Sequence, residues 1–190
     1  FCRGAMHGAQ GVINHAPTIL FEKSRDQFDQ YQRLLLKWNQ KINLTAVTDP
    51  EKIKVVHFLD SLSIVAEIVS RETMIRGRER ERIHILDIGS GAGFPGIPIK
   101  MAMPHYRLTL IEAVGKKCSF LKEVVRQLHL KSIDIIQHTL KYGESIGKFD
   151  FVVSRATFKM NELIRMAAPN LKLSGYLIGM KGNDVSKEIE

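Results

Sequence analysis

The 190-residue chain carries 28 Lys and Arg against 20 Asp and Glu, a net charge of +8, and 44% of its residues are hydrophobic. That apolar content suffices for one compact domain with a sizeable core and excludes a disordered chain, while the excess of cations favours an anionic partner such as a phosphate backbone. Cys2 and Cys118 stand far apart with no CxxC or Cys/His spacing, which argues against a disulfide framework or a zinc site and makes a reducing cytoplasm the expected compartment; no apolar run approaches a membrane span and no signal peptide is seen.

Residues 1–20 show no hydrophobic period and read as a flexible lead. Between Phe21 and Leu44, the residues Phe28, Tyr31, Leu35, Trp38 and Ile42 recur at three and four positions, which predicts an amphipathic helix ending near Lys41. Asp49-Pro50-Glu51 then combines an N-cap, a proline suited to the first helical position and an acid at the positive end of the helix dipole, so a second helix is expected to run to about Val69. Residues 71–82 alternate charge around Gly77 and read as a solvated helix end and linker. Together, 21–82 form an N-terminal helical cap.

From Ile83 the pattern changes to short apolar runs alternating with helical periods. Strands are expected at Ile83–Ile88, Tyr106–Ile111, Ile133–Gln137, Phe149–Ser154 and Tyr176–Met180, with helices at Ile97–Met103, Lys116–Leu128 and Asn161–Ala168. The alternation implies right-handed crossovers and a mainly parallel sheet covered on both faces. Residues 83–190 are therefore a Rossmann-like, doubly wound α/β core behind the cap.

The stretch from Leu86 to Pro98 holds four glycines in eight residues and can be read in two registers. Gly91-x-Gly93-x-x-Gly96 is the dinucleotide fingerprint; Asp87-x-Gly89-x-Gly91-x-Gly93 is the loop that holds S-adenosylmethionine in many methyltransferases. Glu112, nineteen positions beyond Gly93, could bind the ribose of either cofactor, and taken alone it also fits a solvated strand end. Pro95 and Pro98 remove backbone donors that a pyrophosphate would need, and Asp87 would repel that pyrophosphate but could help hold a methionine ammonium. The residues favour the methyl donor. A small nicotinamide-dependent reductase and a non-catalytic RNA-binding module with this fold are the alternatives.

Beyond the glycine loop, the segments Lys37–Thr45, Asp49-Pro50, His57–Ser61, Asp87–Pro98, Gly115–Lys117, Phe120-Leu121, Ser154–Ala156 and Lys181-Gly182 occur in an order that resembles the bacterial small-subunit ribosomal RNA methyltransferase G family, also called glucose-inhibited division protein B. The resemblance implies an enzyme that methylates a guanine N7 in 16S ribosomal RNA with S-adenosylmethionine as donor. Carried over by position, it implies cofactor contacts at Gly89, Phe94, Glu112, Leu140, Lys141 and Arg155, beside Asp87, Gly91 and Gly93 of the loop. Where relatives commonly carry an acid, this chain has Thr139-Leu140-Lys141, so an acidic side chain near the adenine is missing, a departure that is tolerable only if the contact there runs through the backbone. The sequence stops after the fifth strand, where the family continues into a β-hairpin, so that hairpin is expected to be missing.

Guanine N7 carries an in-plane lone pair, so the implied reaction needs no general base, and no catalytic acid or base is assigned. Alignment of N7, methyl carbon and sulfur carries the rate, a contribution of roughly 7–11 kcal/mol in favourable cases, with Arg155 the candidate positioning residue. The N7 edge is inaccessible in an A-form helix, so the target is expected in a loop or flipped out, its phosphates held by Lys116, Lys117, Arg155 and Lys181. Lys116 and Lys117 also fit a solvated helix start. His57, Asp60 and Ser61 share one helical face but lack a nucleophile elbow, and read as a hydrogen-bond cluster tying cap to sheet rather than a hydrolase triad. Trp38 reads as core; Asn43 fits either a helix cap or a contact to the target base. No metal site is expected, and the expected partner is 16S ribosomal RNA or the small subunit, met by a monomer.

Overall fold

The computed structural model describes residues 16–75, 82–155 and 158–180. Five strands form one sheet in the order β3-β2-β1-β4-β5, every pairing parallel: β1 His84–Ile88, β2 Arg107–Glu112, β3 Ile133–Gln137, β4 Phe149–Arg155 and β5 Leu171–Met180. Strands β1, β2 and β4 are buried almost throughout because both of their faces are covered. The α/β architecture expected from the alternating pattern is the one observed.

The pleat sorts each strand's side chains between two cores. Ile85, Leu108, Leu110, Phe151 and Val153 face one layer, built from Ile97 and Met101 of α6 (Gly96–Ala102), Phe120, Leu121 and Val124 of α7 (Gly115–Gln127), and the N-terminal helices. Leu86, Ile88, Ile111 and Val152 face the other, where Leu163, Met166 and Ala167 of α8 (Met160–Ala167) pack beside Leu140. The crossover from β3 to β4 contains no helix; residues 138–148 make that connection as a loop.

The cap begins earlier than the sequence suggests. Helix α1 spans Ala16–Lys23, so residues 16–20, read as part of a flexible lead, are helical, with Phe21 buried against Phe28 at 4.8 Å between ring centroids. Helix α2 (Arg25–Asn39) is separate from α1, and it stops two residues short of the expected end because the Asn39 side chain holds the backbone of Leu44 and Thr45 in a turn. Its Oδ1 accepts the Leu44 and Thr45 N–H groups at 2.8 and 3.0 Å, and its Nδ2 donates to the Thr45 carbonyl at 2.9 Å. Trp38 is half-buried and packs against the core, tilted against Phe120 at 5.8 Å, and Asn43 is exposed.

The Asp49 cap is as read: its Oδ1 accepts the Lys52 N–H at 2.8 Å, with Pro50 opening the helix. The segment expected to form one regular helix is instead α3 (Pro50–Ile53), a π-helical turn (Lys54–Leu59), α4 (Asp60–Ser63) and α5 (Val65–Ile75). The wider turn places His57 and Phe58 inside while leaving Val55 and Val56 exposed. The rest of the charged linker lies outside the described residues, as does Cys2; Cys118 is a buried free thiol.

Candidate cofactor site

The glycine loop leaves the carboxyl end of β1 beside the point where strand order reverses, between β1 and β4, the place where open α/β sheets bind ligands. Gly89, Gly91 and Gly93 all have positive φ, at 73°, 58° and 94°. Such backbone is costly for residues with a Cβ. The Gly89 and Ser90 N–H groups are held by the Ile111 carbonyl at 3.0 and 2.9 Å, so the loop folds back over the end of β2. Glu112 completes that attachment. Its Oε2 accepts the Gly91 N–H at 2.8 Å and its Oε1 accepts the Val114 N–H at 2.8 Å, so it is a buried tie between loop and sheet and not a solvated strand end.

A cavity of about 320 Å³ opens at this edge, lined by Ile88, Gly89 and Gly91 of the loop, Ile111 to Ala113, Lys117, His138 to Leu140, Phe158 and Met166. The wall is mostly apolar, with the Glu112 carboxylate and the Lys117 amine as its charged groups. A Cβ placed on Gly91 would meet only the Gly89 carbonyl oxygen, at 3.8 Å, so this position opens into space.

Among the residues predicted to bind a cofactor, Gly89, Gly91, Glu112 and Leu140 line this cavity, and Asp87, Gly93, Phe94, Lys141 and Arg155 do not. Gly93 is required by packing: a Cβ there would stand 2.6 Å from Tyr31 Oη and 2.7 Å from Ile97 Cγ1. Phe94 is buried beneath the cap, stacked on His57 at 4.8 Å between ring centroids. Lys141 points to solvent while its backbone N–H donates to Glu144 Oε2 at 2.8 Å. Of the residues predicted to bind RNA, Lys116 is exposed, Lys117 instead lines the cavity, and Lys181 lies outside the described residues. Thr139 belongs to the segment that the sequence places beside the adenine, whereas His138, Phe158 and Met166 carry no such signal apart from the nearness of His138 to Leu140.

Asp87 is fully buried next to the cavity, under the loop. Its Oδ2 accepts the Gly96 N–H at 3.0 Å, while Oδ1 has no hydrogen-bond partner among the described residues. Burial raises its pKa to about 7, against the lowering effects of the Gly96 bond, Ser90 and the Arg155 charge. The Gly96 bond also decides what the start of α6 can do. With the Gly96 N–H given to Asp87, the Ile97 N–H to the Gly93 carbonyl at 2.8 Å, the Ile99 N–H to Pro95, and Pro98 lacking one, no donors remain there for a phosphate.

Arg155, at the end of β4, turns towards the cap. Its guanidinium lies 4.9 Å from the Phe94 ring centroid, donates through Nη1 to the Val56 carbonyl at 3.0 Å and through Nη2 to His57 Nδ1 at 3.2 Å, and reaches Asp60 Oδ2 at 3.4 Å. Ser61 is no nucleophile poised on that histidine; its hydroxyl donates to the His57 backbone carbonyl at 2.5 Å. The cluster read as a tie between cap and sheet is therefore that tie, with Arg155 as its sheet-side member.

A parallel sheet of this order, a glycine loop over the end of its first strand and an acid anchoring that loop from the second define a class of α/β proteins built to hold a nucleoside cofactor. The chain belongs to the rRNA small subunit methyltransferase G family, whose model matches residues 24–190. Curated relatives named ribosomal RNA small subunit methyltransferase G include one from a Thermoanaerobacter species, 39% identical over 87% of this chain and 67% of its own. Another, from Alkaliphilus oremlandii, is 37% identical over 96% of this chain and 72% of its own, and a third, from Streptococcus agalactiae serotype V, is 36% identical over 95% and 74%. The chain thus spans about two thirds to three quarters of these relatives' length. Among solved structures, coclaurine N-methyltransferase is similar at a TM-score of 0.48 and 16% identity, over 89% of this chain and 56% of that one.

Proposed function

We propose that the protein is an S-adenosylmethionine-dependent methyltransferase acting on N7 of a guanine in 16S ribosomal RNA. The observation that carries this reading is the pairing of the Glu112-anchored glycine loop with a helix start that has no backbone donors left for a pyrophosphate. The residues fit a phosphate-free nucleoside. Ile88, Ile111, Leu140, Phe158 and Met166 supply apolar walls for an adenine, and Glu112 has lone pairs beyond those used by Gly91 and Val114 to accept ribose hydroxyls. The methionyl ammonium is assigned to the unpartnered Asp87 oxygen, which is buried under the loop beside the cavity wall and is reached only as the loop yields.

When bound, S-adenosylmethionine supplies a sulfonium methyl whose C–S bond breaks as the N7 lone pair forms the new N–C bond. No proton leaves N7 in that step, so the protein's task is alignment and exclusion of water. The loop and Glu112 hold the nucleoside, while Arg155, set on Phe94, holds its position at the edge of β4. The net charge of +8 supports an RNA substrate whose backbone meets Lys116, Arg155 and Lys181, with the target base presented outside a helix. The same reading makes the protein a cytoplasmic monomer; among the described residues no helix is long and apolar enough to cross a membrane.

Calorimetric titration with S-adenosylhomocysteine and, separately, NAD tests the cofactor. Binding of the first and not the second is expected. Binding of NAD alone would return the assignment to a nicotinamide-dependent reductase.

A further inference from the structure

Arg155 sits at the carboxyl edge of the sheet, and among its contacts the Val56 carbonyl, His57 Nδ1 and Asp60 Oδ2 belong to the cap. A guanidinium has donors and no acceptor, so the 3.2 Å contact between Arg155 Nη2 and His57 Nδ1 requires Nδ1 to be unprotonated. The neutral ring then carries its proton on Nε2, which donates to Thr45 Oγ1 at 2.7 Å. Burial and the Arg155 charge lower the His57 pKa to about 4, which keeps the ring in this neutral state at physiological pH. The same Thr45 oxygen accepts the Val47 N–H at 3.0 Å, and the Thr45 backbone is itself clamped by the Asn39 side chain. Donors therefore run in one direction, from Arg155 to His57 and from His57 to Thr45.

Two further features serve the same end. The His57 ring stacks on Phe94, the ring that also lies under the Arg155 guanidinium, so both planes are referenced to one buried aromatic. The π-helical turn Lys54–Leu59 brings the Val56 carbonyl to Arg155 Nη1 at 3.0 Å, beside the His57 contact. Such turns occur often at functional sites.

We infer that His57 is a positioning residue of the transfer reaction: its Nδ1, held in one tautomer by Thr45, fixes the Arg155 guanidinium at the reacting edge of the sheet. This rests on the methyltransferase reading above. It makes the helical cap a working part of the site and distinguishes two faces of one imidazole: the Nδ1 face holds Arg155 directly, and the Nε2 face acts only by setting the tautomer, which an amide oxygen in place of Nδ1 does not need.

The two faces can be separated by amide replacements. Asn Oδ1 lies two bonds from Cβ, as Nδ1 does, whereas the Gln amide lies three bonds away, as Nε2 does. His57→Asn therefore keeps an acceptor for Arg155 and gives up the Thr45 contact, and His57→Gln does the reverse. With both variants shown folded by thermal melting, kcat/KM for methyl transfer to small-subunit RNA is expected to stay within about threefold of wild type in His57→Asn and to fall at least tenfold in His57→Gln. In parallel, the ¹⁵Nη signals of Arg155 are expected to stay resolved in wild type and His57→Asn, where guanidinium rotation is hindered, and to average in His57→Gln. Equal losses in the two variants, or no loss in His57→Gln, would overturn the inference, because a merely structural histidine would not discriminate between them. If the wild-type protein transferred no methyl group to RNA, the proposed function would fail, and the Nη signals alone would decide whether His57 fixes Arg155.

Discussion

Glu112 holds Gly91. Because its two oxygens accept the Gly91 and Val114 N–H groups at 2.8 Å each, one side chain at the end of β2 sets both the glycine loop and the approach to α7. Glu112→Gln keeps the shape but turns an amide NH2 towards one of those donors. A buried N–H left without an acceptor costs about 1–3 kcal/mol. The variant is expected to melt lower by a corresponding amount and to bind S-adenosylhomocysteine at least tenfold more weakly; wild-type affinity by calorimetry would remove Glu112 from the cofactor site.

The loop glycines answer to different constraints, and alanine substitutions should separate them. Gly91→Ala adds a methyl group that meets nothing closer than 3.8 Å in the protein, at a φ of 58° that costs roughly 1–2 kcal/mol. The fold should survive, while cofactor affinity falls at least tenfold as the methyl enters the cavity. Gly93→Ala drives its methyl to 2.6 Å from Tyr31 Oη and 2.7 Å from Ile97. Loss of more than 2 kcal/mol in chemical unfolding is expected for Gly93→Ala, and a well-folded variant would contradict the packing described.

Asp87 gives the protein a pH dependence. Its folded pKa of about 7 lies above that of an unfolded carboxyl, so the folded state holds the proton more tightly, and stability falls as pH rises from about 4 to 7. Three pKa units correspond to a loss on the order of 4 kcal/mol. Asp87→Asn should abolish that dependence, melting closer to wild type at pH 5 and above it at pH 8. Cofactor affinity should follow the opposite course in wild type, rising through pH 7 as the carboxylate forms to meet an ammonium. Calorimetry across pH 6–8 checks this, and a pH-independent affinity in wild type would place the ammonium elsewhere.

The two adjacent lysines should divide their effects. Lys117 lines the cavity, so Lys117→Ala is expected to raise KM for S-adenosylmethionine, whereas exposed Lys116→Ala should weaken RNA binding and reduce its salt slope by about one. RNA affinity measured across a salt series in wild type should fall steeply; a flat response would point to a small-molecule substrate.

The strands and the three helices of the core were legible because each carries a short apolar run or a helical apolar period, although only β1, β2 and β4 are buried along their length. The misreadings have local causes. β5 begins at Leu171, five residues before the expected start, because Gly175 and the alternating polar residues beside it look like a turn. In the fold Gly175 belongs to the strand, since a Cβ there would stand 2.9 Å from the Phe149 carbonyl oxygen near a break in the β4–β5 register. The break at Ser24 and the π-helical turn leave the three-and-four spacing of apolar residues almost intact, so periodicity does not reveal them.

The site divided in the same way. Gly89, Gly91 and Glu112 were readable because backbone geometry and strand-end placement constrain residue type. Phe158 and Met166 were not, since an aromatic after β4 and an apolar residue on the inner face of α8 read as core in any α/β protein. Asp87 stands out in the sequence by its position before the glycines, but its link to Gly96 depends on a nine-residue return of the chain that spacing alone does not disclose.

The central claim is that this cavity serves transfer of a methyl group to guanine N7. Its most direct test is incubation of the purified chain with methyl-labelled S-adenosylmethionine and small-subunit ribosomal RNA, then digestion to nucleosides and separation of the products. Label in 7-methylguanosine is the predicted result. Label in any other nucleoside, or none in the RNA while the cofactor is bound, would contradict it.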